Sequence, residues 1–119
     1  MKFETYFYWL PHCSTCKKAK VFLEINGVII TKFHDLKASP PSRQEVEKLA
    51  ELVGGVERLF SRRAIKYREL GLTQRELSND EMLDLMSSEY TFIKRPVLVI
   101  NGEARAGFSE KDYHEFLAK

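Results

Sequence analysis

An α/β fold in the order β-α-β, helical insertion, β-β-α is predicted for this 119-residue chain. Three observations predict it. An aromatic, strand-like run, Phe3-Glu4-Thr5-Tyr6-Phe7-Tyr8-Trp9, leads to the two cysteines of the chain, Cys13 and Cys16, which open a helix-like run. The middle of the chain carries two Ser-x-x-Glu pairs ahead of apolar residues at helical spacing, the signature of helix starts. A continuous apolar run, Val97-Leu98-Val99-Ile100, is followed at once by Asn101-Gly102, the strongest short hairpin signal.

Each element follows in order. Residues 2–9 are expected as a buried strand because aromatic side chains fit a pleated surface. The run from Cys16 to Asn26 is expected as a helix with Cys16, Ala19, Phe22 and Leu23 on one face, stopped by Asn26-Gly27. Val28 to His34 is β-branched and loosely alternating, which predicts a second strand. Together these pieces form a βαβ unit, with a parallel strand pair and a right-handed crossover. Ala38-Ser39-Pro40-Pro41 breaks the pattern. Ser42 and Glu45 then open a helix with Val46, Leu49, Ala50 and Val53 at helical spacing, ended by Gly54-Gly55. Val56 to Phe60 reads as a short helical turn, and Ala64 to Leu70 as a helix stopped by Gly71. Ser78 and Glu81 repeat the cap ahead of Met82, Leu83, Leu85 and Met86. Val97–Ile100 has the continuous apolarity of a central strand, and Glu103 to Ala106 returns from the hairpin. Ser109 caps a last helix with Tyr113, Phe116 and Leu117 inward. This order is a thioredoxin-like layout with a helical insertion at about residues 42–89. The core is expected at 1–37 and 91–119, with residues 1–119 forming one domain because no linker or charge break sets the insertion apart.

Composition narrows the function. A hydrophobic fraction of 44% and a charged fraction of 30% are ordinary for a globular domain. A net charge of +2 is too small to argue for nucleic acid or a membrane surface, and no DNA-reading motif is present, so direct DNA binding is not expected. No apolar run approaches the length of a bilayer span. Met1-Lys2-Phe3-Glu4 lacks the apolar core of a signal peptide, so a cytoplasmic location is expected. There a Cys-x-x-Cys is more often catalytic or redox-sensing than structural.

The cysteine spacing carries the chemistry. The first turn of a helix presents unpaired N–H groups and partial positive charge, which favour a thiolate. Lys17, Lys18 and His12 add charge nearby. Cys13, at the outer edge, is therefore expected to attack, and Cys16, one turn further in, to resolve the mixed disulfide. Three plainer readings stand beside this one. A zinc site would need four ligands, and His12, His34 and His114 are scattered. A structural disulfide would close only a short loop and stabilise little. An inert core thiol is a reading open for Cys16 alone. Outside the cysteines, Ile93-Lys94-Arg95-Pro96 precedes the apolar strand. In a thioredoxin-like fold that loop faces the cysteine pair, so a cis Pro96 would set Arg95 beside Cys13. The alternative is an exposed arginine at a strand start. Arg58, Arg62, Arg63, Lys66 and Arg68 read first as a solvated face, balanced in part by Glu57 and Glu69.

With these pieces in place, the chain resembles the arsenate reductase (ArsC)/Spx family over nearly its whole length. The resemblance rests on Phe7-Tyr8 through Cys13-Ser14-Thr15-Cys16-Lys17-Lys18-Ala19, on Pro40-Pro41-Ser42-Arg43-Gln44-Glu45, and on Tyr67-Arg68-Glu69-Leu70-Gly71-Leu72. Lys94-Arg95-Pro96 and Gly107-Phe108-Ser109 complete it. In the arsenate-reducing branch one cysteine attacks arsenate and three arginines hold the oxyanion. Cys13 matches that cysteine and Arg95 matches the arginine before the proline. The other two arginine positions fall on Ser61, with Arg62 and Arg63 just after it, and on Phe108. Arg63 matches an arginine of the Spx-like branches. The resemblance implies a thiol–disulfide oxidoreductase with Cys13 as nucleophile and Cys16 as resolving thiol. Arg95, Arg63, Pro96, Ser14 and Thr15 would then hold an anionic substrate. It implies no bound cofactor or metal, with glutathione, thioredoxin or glutaredoxin as the external thiol partner. The alternative it implies is the role of Spx, a redox-switched transcription regulator that binds the C-terminal domain of the RNA polymerase α subunit.

Overall fold

The computed structural model describes residues 4–118. Its elements run β1 (Thr5–Trp9), α1 (Ser14–Ile25), β2 (Lys32–Asp35), α2 (Arg43–Val53), α3 (Val56–Leu59), α4 (Ile65–Glu69), α5 (Asn79–Ser88), β3 (Val97–Ile100), β4 (Glu103–Ala106) and α6 (Glu110–Leu117). Single 3-10 turns occupy Leu72–Gln74 and Tyr90–Phe92. The expected strand residues Lys2 and Phe3 lie outside the described residues. The sheet order is β2-β1-β3-β4. β1 runs parallel to β2, with Tyr6 opposite Lys32 and Tyr8 opposite His34. It runs antiparallel to β3, with Phe7 opposite Leu98, and β3 and β4 form the hairpin. This is the thioredoxin-like arrangement that the order of elements predicts.

Side chains alternate across a strand, and here both faces are apolar. Phe7 and Trp9 of β1 and Leu98 and Ile100 of β3 point to one face. There they meet Ala19, Phe22 and Leu23 of α1 and Tyr113 and Phe116 of α6. Tyr6, Tyr8, Val97, Val99 and Ala104 point to the other face, against Val46, Leu49 and Ala50 of α2 and Met82 and Met86 of α5. The helical insertion is therefore the second layer of the molecule. A fully buried Leu or Phe contributes about 1.5–3 kcal/mol, so removing that layer would strip β1 and β3 of one whole face of stabilisation.

Local rules set most boundaries. Both capping boxes form: Ser42 Oγ accepts from Glu45 N at 3.2 Å while Glu45 Oε1 accepts from Ser42 N at 3.2 Å. Ser78 and Glu81 repeat the exchange at 3.1 Å each way. Arg43, on α2, reaches Glu47 and also Asp80 and Asp84 on α5, tying the two insertion helices together. Asn101 and Gly102 have φ of 51° and 80°, the positive pair that a two-residue type I′ hairpin requires.

Single residues fall away at several ends, such as Glu4 before β1 and Phe60 after α3, and two boundaries differ from the sequence reading by two residues or more. α1 begins at Ser14, two residues early, because Cys13 itself is the N-cap, with extended φ −82° and ψ 121°. β2 begins at Lys32 instead of Val28. The end of α1 explains it: Gly27 N donates to Glu24 O at 3.1 Å and Val28 N to Leu23 O at 2.9 Å, the paired bonds of a Schellman cap. Val28 is thus consumed by the helix end, and Val28 and Ile30 pack on the α1–α6 side before the strand starts. Among the described residues no helix is long and apolar enough to cross a membrane.

Candidate functional site

A tight turn after β1 delivers the cysteines to the sheet end, with Cys13 N donating to Leu10 O at 3.0 Å. Both cysteines are free thiols; Cys13 is half-buried and Cys16 wholly buried. The two are driven in opposite directions. Burial disfavours the Cys13 thiolate, but the N–H and the thiol of Cys16, the Arg95 guanidinium and the Thr15 N–H outweigh it, and the thiol sits below its usual value. The Cys13 side chain makes no cap hydrogen bond by strict geometry, yet as the N-cap of α1 it faces the open N–H groups of the first turn. Burial pushes the Cys16 thiol up to about 12, reinforced by Cys13 and opposed by the backbone near Leu10 and by Arg95. The charge that bears on the pair is therefore that of Arg95. Lys17, Lys18 and His12, expected from the sequence to contribute, are exposed and are not among the groups that shift Cys13.

Arg95 arrives through the loop before β3, where the Arg95–Pro96 peptide is cis. Its Nη1 donates to Thr91 O at 3.3 Å and Ile93 O at 3.4 Å, and its Nε is buried with no hydrogen-bond partner. This loop is joined to the insertion by an isolated antiparallel bridge between Phe60 and Ile93. Ser61 N donates to Phe92 O at 2.6 Å and Lys94 N to Leu59 O at 2.8 Å. Phe60 and Phe92 stack at 5.5 Å with 8° between planes. That seam carries Ser61, Arg62 and Arg63 to the side of Lys94 and Arg95.

The result is an open cleft of about 700 Å³, lined on one side by Cys13 and Thr15 and on the other by Arg62, Arg63, Lys94 and Arg95. Glu57, the carboxylate on its wall, pairs with Arg62 at 3.5 Å. Among the described residues no salt bridge neutralises Arg63, Lys94 or Arg95. The arrangement can therefore draw an anionic group to a half-buried thiolate and hold a second thiol behind it.

Of the residues named from sequence, Cys13, Thr15, Arg63 and Arg95 meet in this cleft, and Cys16 and Pro96 lie buried behind it. Ser14 does not line it. Successive helical residues turn by about 100°, and Ser14 is exposed on the first turn. Ser61 and Phe108, the residues at the two unmatched arginine positions, both line the cleft. Sequence reasoning passed over Lys94, although it stands inside the Lys94-Arg95-Pro96 motif, and over Phe60, whose single bridge leaves no periodic trace. Among the described residues no three of His, Cys, Asp and Glu converge as metal ligands.

Comparison with known proteins gives concordant matches. The model of the ArsC family matches residues 8–116. The chain is 38% identical over 112 residues to the uncharacterised protein YusI of Bacillus subtilis, covering 92% of this chain and 94% of that one. It is 30% identical over 110 residues to the global transcriptional regulator Spx of Streptococcus mutans, covering 92% of this chain and 80% of the regulator. Among solved structures it is similar to an arsenate reductase from Vibrio cholerae, with a TM-score of 0.82, 25% identity, and coverage of 99% and 98%.

Proposed function

The chain belongs to the ArsC family, and from that premise we propose that it is an arsenate-reductase-like thiol–disulfide oxidoreductase. The observation that carries this reading is the contrast between the two thiols in front of Arg95: Cys13 is favoured as a thiolate and opens on the cleft, while Cys16 is buried and held protonated. Cys13 attacks a sulfur of a disulfide substrate, or an oxyanion centre, whose negative charge is held by Arg95 and Arg63. From a disulfide the departing thiolate takes up a proton; from an oxyanion a hydroxide departs and is protonated to water. Cys16 then gives up its proton and attacks Cys13 Sγ, and the Cys13–Cys16 disulfide forms as the second leaving group departs. An external dithiol or two molecules of glutathione reduce that disulfide and return both protons. Ser61 and Phe108, in place of two family arginines, reduce the cationic charge aimed at a small tetrahedral oxyanion. A larger anionic disulfide, whose carboxylates can reach Arg63 and Lys94, is the better substrate class. A reducing, cytoplasmic setting goes with this mechanism.

A second reading is favoured by the identity with the Streptococcus mutans regulator. In it the Cys13–Cys16 disulfide switches a surface that binds the RNA polymerase α subunit. One experiment separates the two. NADPH consumption is followed with glutathione and glutathione reductase, and separately with thioredoxin and thioredoxin reductase. Arsenate and a small mixed disulfide are offered, with Cys13→Ser as control. Turnover lost in the variant supports the oxidoreductase, and the donor names its partner. No turnover with any pairing, together with reductant-sensitive capture of the polymerase α subunit, would replace it with the regulator.

A further inference from the structure

The Cys13 cleft does not end at its own walls. Lys94 also lines a second open cleft, of about 580 Å³, together with Arg58, Arg105, Glu103 and Asp112. Arg62 and Arg63 also line a third, of about 560 Å³, together with Ile65, Arg68 and Glu69. The second and third clefts share no lining residue, so Cys13 opens on the middle one of three adjoining hollows. A pocket for one small molecule holds about 300–1,000 Å³, and the middle cleft alone lies within that range. The three together offer more room than a compact disulfide fills.

Charge is gathered along the same surface. Seven of the chain's 19 Lys and Arg line these clefts, against four of its 17 Asp and Glu. The rest of the molecule therefore carries a slight excess of carboxylate. Two of the four carboxylates are matched locally, Glu57 with Arg62 and Asp112 with Arg105. Among the described residues no salt bridge engages Arg58, Arg63, Arg68, Lys94 or Arg95. The surface also has aliphatic contacts: Ile65 is 76% exposed in the third cleft, and Leu52 is half-buried in the second. Single-stranded nucleic acids need aromatic rings on which bases stack. Among the described lining residues Phe60 is buried against Phe92, and Phe108 is held edge-on by Phe22 and Tyr113. Cations interleaved with aliphatic side chains fit a polypeptide bearing carboxylates and apolar groups.

We propose that the substrate of Cys13 is a disulfide carried by an acidic polypeptide segment that lies along all three clefts, with its cysteine over the middle one. This deepens the oxidoreductase reading above and rests on it. Carboxylates on one side of the substrate cysteine meet Lys94 and Arg58, and those on the other side meet Arg63 and Arg68. The Cys13 thiolate bonds to the substrate cysteine sulfur as the substrate S–S bond breaks, and the departing thiolate takes up a proton. Cys16 gives up its proton and attacks Cys13 Sγ, and the polypeptide leaves as a thiol. The substrate disulfide gains the two electrons that the Cys13–Cys16 pair loses in becoming a disulfide.

Two synthetic peptides test this. Each carries one cysteine as its mixed disulfide with thionitrobenzoate; one has Asp and Glu on both sides, the other Ser and Gln at the same positions. Thionitrobenzoate release by the reduced protein gives a second-order rate for each peptide, and the ratio of the two within one protein cancels any change in the thiol itself. In the wild type the acidic peptide is expected to react about tenfold faster or more at low ionic strength. The ratio should shrink toward one at about 1 M salt, where screening reaches about 3 Å. In the double variant Arg58→Gln, Arg68→Gln it should fall about threefold to tenfold, and each single variant should contribute, since the two arginines lie in different end clefts. The double variant Lys37→Gln, Lys48→Gln removes the same charge from exposed positions outside the clefts and should keep the wild-type ratio. A wild-type ratio near one at low salt overturns the proposal and leaves the oxidoreductase standing. A ratio lowered equally by both double variants overturns it too, since net charge alone would then act. So does an oligoribonucleotide that blocks the acidic peptide at lower concentration than an unreactive acidic peptide of equal charge, which would make the band a nucleic-acid surface. Release from neither peptide marks a failure of the thiol mechanism itself, and this inference falls with it.

Discussion

The strongest quantitative consequence concerns Cys16 and alkaline pH. Its side chain is wholly buried, and burial is the first cause that lifts the thiol from the usual 9.0 to about 12. The fold therefore prefers the neutral form. That preference is fully present below pH 9.0 and is lost as pH rises toward about 12, because the unfolded chain ionises first. One pKa unit is about 1.4 kcal/mol, so on the order of 2 kcal/mol is lost by about pH 10.5 and about 4 kcal/mol over the whole range. Cys13 pulls the other way. Its lowered value adds stability as pH climbs toward the ordinary thiol range, and it is common to wild type and variant apart from the hydrogen bond from the Cys16 thiol. Cys16→Ala removes the titration but leaves a small hole, costing about 1–2 kcal/mol at neutral pH. The two stability curves should then cross near about pH 10. Urea unfolding of both proteins, in excess reductant from about pH 7 to about pH 11, measures the gap. A gap that stays constant across that range would refute the assignment of Cys16 as a buried, neutral thiol.

Three further outcomes are expected. Arg95→Met should slow iodoacetamide alkylation of Cys13 at neutral pH by about threefold, because the guanidinium ranks after burial and the Cys16 hydrogen bonds among the influences on that thiol. Stability should stay within about 1 kcal/mol, since the lost bonds are long and an unpaired Nε is removed with them. Ser61→Arg places a cation on the cleft wall; the sulfate concentration that halves Cys13 alkylation should drop about threefold to tenfold, and an unchanged concentration would show that position 61 does not face the bound anion. Ser42→Ala dismantles the first capping box and should cost about 1 kcal/mol in urea unfolding while leaving Cys13 reactivity as it is.

What could be read from sequence was what is local. The caps at Ser42, Ser78 and Ser109, the Asn101-Gly102 hairpin and the buried face of α1 each rest on residues within a turn of one another, and each is present. β2 starts later than the sequence predicts because the β-branched run Val28-Ile29-Ile30 looks like a strand, while the Schellman bonds that consume Val28 depend on the helix end next door. The insertion's standing as a layer was legible in principle. Val97 to Ile100 is apolar at every position, which requires cover on both faces of the sheet. Nothing in periodicity says which segment supplies it. The thiol pair and Arg95 were legible because a motif or a proline marks them. Periodicity and composition do not bring Arg63 to Arg95; only the family resemblance puts them together, because their convergence depends on one bridge, Phe60 to Ile93, between segments more than thirty residues apart.

That bridge also fixes when the candidate site is complete. The β1-α1-β2 unit, with both thiols, is complete by Asp35 and draws on neighbours in sequence. The cations come later. Arg63 is held in place only when Phe60 finds Ile93, and Arg95 only when β3 slots between β1 and β4. A chain emerging from synthesis therefore displays its cysteines long before the guanidinium that activates Cys13 has been made. The part of the lowered Cys13 thiol that comes from Arg95 belongs to the closed sheet, whereas the hydrogen bonds from Cys16 belong to the motif. A nascent or unfolded copy carries the same Cys-x-x-Cys with its thiols nearer their ordinary, slower state.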